Sequence, residues 1–172
     1  MRFSIIIFGD IGCGKTSLVQ RFVTNKFVLN CTKTIGADFV VKSFIMVKQN
    51  IKLQIWDFGF ENQKRFKILL RTYIRGAKGG LFMYDITNYF SLAHIDDWLN
   101  IIRKEIKAED WFPIIMVGGK ADLANEREVG TQEGRQIAKS QGFDGFIECS
   151  SKSGENVEKT FKALTRLMMF KL

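Results

Sequence analysis

Histidine occurs once, at position 94, and proline once, at position 113. One histidine argues against a histidine-based metal centre and against a catalytic triad. The cysteines number three, Cys13, Cys31 and Cys149, odd in count and far apart. They show neither disulfide nor zinc spacing and point to a reducing, cytoplasmic setting. No apolar run approaches the ~20 residues of a membrane-spanning helix, and the opening MRFSIIIFGD is too short for a signal peptide. Low-complexity tracts and internal repeats are lacking as well.

Acidic residues are scarce in the first half. Residues 1–84 carry 14 Lys and Arg against 4 Asp and Glu, whereas residues 85–172 carry 12 against 14. Six basic residues and no acidic one lie between Lys64 and Lys78. An anionic partner and a solvated helix face both explain this. No nucleic-acid motif accompanies the charge, so nucleic acid is not expected as a partner. What is present is globular: 46% apolar residues, 16 of them Phe, in a length that suits one domain over 1–172. Such a chain buries roughly 70% of its unfolded surface.

Short apolar runs alternate with longer helical patterns. Strands are expected at 3–8, 39–47, 52–57, 80–85, 113–119 and 146–150. Lys48-Gln49-Asn50 separates the second and third as a hairpin turn. Helices are expected at 16–24, 65–75 (ending at Gly76), 91–107 with Ser91 as N-cap, 131–141 (stopped by Gly142) and 157–172. This alternation predicts a mostly parallel sheet with helices on both faces, and a ligand beyond the carboxyl ends of the strands.

GDIGCGKTS, at 9–17, meets the pattern G-x-x-x-x-G-K-[ST] at Gly9, Gly14, Lys15 and Thr16. It follows a strand and opens a helix, the context the motif requires. Small residues let backbone N–H groups of Gly9, Asp10, Ile11, Gly12, Cys13, Gly14, Lys15, Thr16 and Ser17 turn inward on phosphate. Lys15 reaches the β and γ oxygens, and Thr16 offers its hydroxyl to Mg2+. A dinucleotide site would need glycine at Ser17, so a nucleoside triphosphate is expected.

Further motifs follow in order: KTIGADF (33–39), LQIWD (53–57), MYDIT (83–87), GGKADL (118–123) and ECSSKSGENV (148–157). With the phosphate loop, this set resembles the Ras superfamily of small GTPases, in its Rab-like branch, over nearly the whole chain. The resemblance implies a P-loop G domain: an α/β fold with a mostly parallel six-stranded sheet, one antiparallel edge strand, and helices on both faces. It implies GTP and GDP as ligands with Mg2+ held by Thr16, the switch threonine Thr34 and Asp57. Ser151 would give its N–H to guanine O6 within the loop Ser150, Ser151, Lys152, and Phe27 would pack against the ring. Residue chemistry supports guanine independently. A carboxylate such as Asp122 accepts from guanine N1–H and the exocyclic amine, donors adenine lacks. Lys120 lays its alkyl stem along the base while its ammonium stays wet.

Two departures bear on activity. The family's base-binding asparagine is Gly119 here, a loss of about 1–3 kcal/mol where its partner groups stay unsatisfied. Faster nucleotide exchange is the expected consequence. After Asp57 the family runs D-x-x-G and then glutamine; counting forward puts Phe60 at the glycine and Glu61 at the glutamine. The family's R-F pair returns two residues late, at Arg65-Phe66, so Gly59 is the candidate γ-phosphate donor and Gln63 the displaced water-positioning amide. Glu61 and Gln63, with Lys15 and Thr34, are the catalytic candidates, and slow intrinsic hydrolysis is expected. Ile11 crowds the place where a glutamine and an arginine finger enter. A non-hydrolysing GTP-binding scaffold stays open as the alternative. A nucleotide kinase does not fit GKAD and CSSK, and D-F-G at 57–59 is no kinase motif without H-R-D or V-A-I-K. Effectors, exchange factors and activating proteins are expected through 30–39 and 58–75, on a monomer. MMFKL is no C-a-a-X box, which leaves three readings open: a tail outside this sequence, a soluble protein, or a basic half that touches anionic lipid.

Overall fold

The computed structural model describes residues 1–29, 34, 36–58, 63–107 and 109–170, and for 63–69 the backbone alone. The strands are β1 (Arg2–Phe8), β2 (Ala37–Met46), β3 (Gln49–Phe58), β4 (Gly79–Asp85), β5 (Ile114–Gly119) and β6 (Gly145–Glu148). The helices are α1 (Lys15–Thr24), α2 (Gln63–Gly76), α3 (Ile95–Glu105), α4 (Thr131–Ser140) and α5 (Val157–Met169). The strand order is β2-β3-β1-β4-β5-β6. Every pairing is parallel except that of the edge strand β2 with β3.

Alternation along β1 explains its apolar run from Ile5 to Phe8. Phe3, Ile5 and Ile7 pack with α1 and α5 through Leu18, Phe22, Phe161 and Leu164. Ile6 and Phe8 pack on the opposite layer, with Ile74 of α2, Trp98 of α3 and Ala138 of α4. A strand buried on both faces carries no polar alternation. The phosphate loop follows β1 and Asp57 closes β3, while Asp85, Gly119 and Ser150 fall at the ends of β4, β5 and β6. One sheet edge thus collects all the unusual loops, as parallel topology requires. No helix is long and apolar enough to cross a membrane among the described residues.

Two expectations change. The hairpin turn is Val47-Lys48, with Met46 opposite Gln49, and Gln49 and Asn50 belong to β3. Both turn residues have positive φ, 49° and 58°. That is the signature of a two-residue primed turn, whose twist matches the strands although neither residue favours it. Ser91 is not the N-cap of a helix over 91–107. A 3₁₀ segment, Tyr89–Leu92, is capped by Asn88, whose Oδ1 accepts from Phe90 N at 3.0 Å. The Ser91 hydroxyl is drawn inward, accepting from Asp85 N at 2.9 Å and donating to Asn88 O at 2.7 Å. α3 begins only at Ile95.

Candidate functional site

The phosphate loop is shaped by close approach. A Cβ on Gly9, at φ +137°, would lie 2.1 Å from the Met83 carbonyl oxygen, which excludes every other residue. Gly14, at φ +96°, stands at the N-cap of α1 and offers no side-chain oxygen, and the first turn of α1 holds no acidic residue. The leading amides of α1 are thereby left for an anion. Lys15 is buried, its Nζ donating to the carbonyls of Gly9 (2.9 Å) and Asp10 (2.8 Å). The Cys13 thiol donates to Asp10 O at 2.9 Å, and burial pushes its pKa up. Asp10 turns its carboxylate to α3, accepting from Trp98 Nε1 at 3.0 Å and meeting His94 Nδ1 at 2.8 Å. That hydrogen bond first, and then the Asp10 charge, raise the His94 pKa. Ile11 is 55% exposed at the loop's outer side. Ser17 continues α1 within the first turn.

Beside Lys15, three oxygens converge from three segments. Thr16 Oγ1 donates to Asp57 Oδ2 at 2.5 Å and lies 2.6 Å from Thr34 Oγ1. Asp57 is 1% exposed, and burial raises its pKa against the lowering influence of the Thr16 hydrogen bond and the Lys15 charge. Its second oxygen, Oδ1, is buried with no hydrogen-bond partner. A buried carboxylate oxygen left unsatisfied beside two hydroxyls suits a hard divalent cation. Among the described residues no group of three or more His, Cys, Asp and Glu gathers to hold a metal. One carboxylate oxygen and two hydroxyls are a donor set that Mg2+ fits, with waters and phosphate oxygens completing its shell.

The residues expected on the base side come from the ends of β4 and β5 and from the loop after β6. Asp122 Oδ1 accepts from Ser150 Oγ at 2.6 Å, and Ser150 Oγ accepts from Ser153 N at 3.0 Å. Ser150 and Ser151 are buried, Lys152 exposed and Phe27 half-buried. Lys120 gains a partner that the sequence reading did not name: its partly exposed ammonium pairs with Asp85 Oδ2 at 2.6 Å. Asp85 is itself buried and accepts from Thr87 N and Oγ1. Sequence reasoning missed Asp85, although it stood inside the MYDIT motif; its only signal was a charge closing an apolar strand. Gly119 is closed rather than empty. A Cβ there would meet the Met83 Cε at 2.5 Å and the Cys13 carbonyl oxygen at 2.9 Å. The Met83 methyl and the Cys13 carbonyl thus occupy the space into which a side chain at 119 would start.

Gly59, Phe60 and Glu61 lie outside the described residues, as does the side chain of Gln63, where α2 begins. Residues 30–33 and 35 of the 30–39 segment, including Cys31, also lie outside. What joins the two expected contact segments is an aromatic row. Phe39 of β2 lies 4.5 Å from Trp56 of β3, and Trp56 lies 4.2 Å from Tyr73 of α2, between ring centroids. Phe39 is 46% exposed.

The family model described as the Ras family matches residues 4–170. The human Ras-related protein Rab-3A is 38% identical over 172 residues, covering 99% of this chain and 75% of the relative. Rab-3A of Macaca fascicularis gives the same figures.

Proposed function

The chain belongs to the Ras family as a Rab-like small GTPase, and on that premise we propose that residues 1–172 form one G domain that binds GTP and GDP with Mg2+ and hydrolyses GTP slowly. The observation that carries this reading is the meeting of Thr16, Thr34 and Asp57 beside the buried Lys15. Thr34 belongs to the 30–39 segment, so its tie to Thr16 links that segment to the state of the phosphate site.

Lys15 and the amides of 10–16 hold the phosphate oxygens and offset their charge. Thr16, Thr34 and Asp57 would hold Mg2+, which when bound neutralises phosphate charge and orients the transferring group. Asp122 selects guanine, and the Lys120 stem lies along the base with its ammonium tethered by Asp85. Gln63 or Glu61 positions the attacking water. Loss of the γ-phosphate releases 30–39 and 58–75, the segments that effectors and regulators read, with Phe39, Trp56 and Tyr73 as the apolar centre of that face. The protein acts as a cytoplasmic monomer.

A second reading, a GTP-binding scaffold without turnover, is favoured by Glu61 at the family's glutamine and by the exposed Ile11. Single-turnover phosphate release decides between them. Slow Mg2+-dependent release, abolished in Lys15→Ala and quickened in Glu61→Gln, supports the GTPase. Stable GTP binding with no release in the wild type supports the scaffold.

A further inference from the structure

Arg21 lies in the second turn of α1, away from every phosphate contact, yet its guanidinium reaches the base-side loop. Nη1 donates to Lys152 O at 3.2 Å and Nη2 to Ser153 O at 3.1 Å. No carboxylate pairs with it among the described residues, and its buried Nε has no partner. The side chain therefore acts through two carbonyls of adjacent residues, which a planar fork can hold and a point charge cannot. The loop is shaped to receive it. Gly154 has φ +88°, and a Cβ there would lie 2.5 Å from Arg21 Nη2 and 3.1 Å from Nε. A side chain at 154 would displace the guanidinium from this seat, and the positive φ disfavours one as well. The same turn is knitted by Gly154 N donating to Ser150 O at 2.8 Å and Ser153 N to Ser150 Oγ at 3.0 Å. Ser150 Oγ then donates to Asp122 Oδ1 at 2.6 Å.

A continuous chain of contacts thus runs from Arg21 through the carbonyls of 152 and 153 to the Ser150 hydroxyl and the Asp122 carboxylate. We infer that Arg21 is a positioning residue for base recognition: it pins the 150–154 loop to the helix that starts at the phosphate loop, and so sets the direction in which Asp122 faces the ligand. This rests on the guanine reading of the site. Arg21 touches no ligand, so its effect is on base discrimination rather than on phosphate binding.

The test compares GDP with inosine diphosphate, whose base keeps N1–H but lacks the exocyclic amine that Asp122 accepts. Affinities of both are measured for wild type, Arg21→Ala and Arg21→Lys, with a thermal melt of each. The wild type prefers GDP. In Arg21→Ala, GDP binding falls roughly tenfold and inosine diphosphate binding falls less, so the ratio contracts. Arg21→Lys, with a single donor head, leaves the ratio contracted. A merely structural arginine would lower the melting temperature and weaken both ligands alike; an unchanged ratio therefore overturns the inference, as does full restoration by lysine. Should Arg21→Ala fail to fold, the ratio in Arg21→Lys decides in the same two ways. A wild type that binds GDP with no preference over inosine diphosphate overturns the guanine reading itself, and this inference with it.

Discussion

The two ends of the nucleotide site are built differently. On the phosphate side, backbone and glycine do the shaping, every residue of the G-x-x-x-x-G-K-[ST] pattern is present, and Lys15 and Asp57 are buried. On the proposed base side, the polar side chains are held by other side chains. Lys120 is tethered by Asp85 and Asp122 by Ser150, and a glycine stands where the family has an asparagine. Backbone cradles tolerate little change because their amides cannot be moved singly. Side-chain networks tolerate replacement if volume and hydrogen bonds are made good nearby. Met83 restores the volume at Gly119. It supplies no amide donor or acceptor, so the base side is expected to be the weaker end.

Substitutions can sharpen that contrast or break it. Lys15→Ala carries the largest expected effect, a loss of about 3 kcal/mol or more in GDP affinity, more than ~100-fold by calorimetry. If the base side loses more from any single change, the contrast is wrong. Asp122→Ala is expected to cost about 2 kcal/mol for GDP and little for ADP, collapsing the preference in a competition assay. Asp57→Asn is expected to remove the Mg2+ dependence of binding, a loss on the order of 1–2 kcal/mol. The same change should raise the melting temperature of the nucleotide-free protein. The sign follows from burial. Because the Asp57 pKa is raised on folding, its contribution to stability is present below the ordinary carboxylate value near 3.9 and is lost as pH rises through the folded value. At neutral pH the charge is a cost, and asparagine removes both the cost and its pH dependence. Asp85→Asn should weaken GDP by about 1 kcal/mol, since the Lys120 head is only partly covered. His94→Gln is the smallest effect. The Asp10 contact raises the His94 pKa, so its stabilisation is full below the ordinary histidine value near 6.5 and fades as pH rises through the folded value. Melts from pH 5.5 to 8.5 should slope downward slightly in the wild type and less in His94→Gln.

The strands of the sheet and the phosphate loop were legible in the sequence because both rest on local signals: continuous branched and aromatic runs, and glycines at fixed offsets before a lysine; the order of the strands was not. The antiparallel edge strand was legible through its hairpin, although the turn fell at Val47-Lys48, two residues that carry no turn signature. Ser91 misled because a serine before a helical pattern reads as a cap. Its hydroxyl is claimed instead by the Asp85 amide and the Asn88 carbonyl, six and three residues back, in the turn that leaves β4. Asp85 and Arg21 were hidden for a different reason: their partners lie 35 and 131–132 residues away. No window of sequence shows such pairs. Gly119 was visible as a departure, but that Met83 fills the space is a fact of packing.

The central claim is that this site is a guanine-nucleotide site organised around Mg2+. The most direct measurement is the identity of the nucleotide carried by the purified wild-type protein, released by denaturation and resolved by ion-exchange chromatography. Near-stoichiometric GDP or GTP, lost when Mg2+ is chelated during purification, is the expected result. Adenine nucleotide, or none from protein kept in Mg2+ throughout, would contradict it.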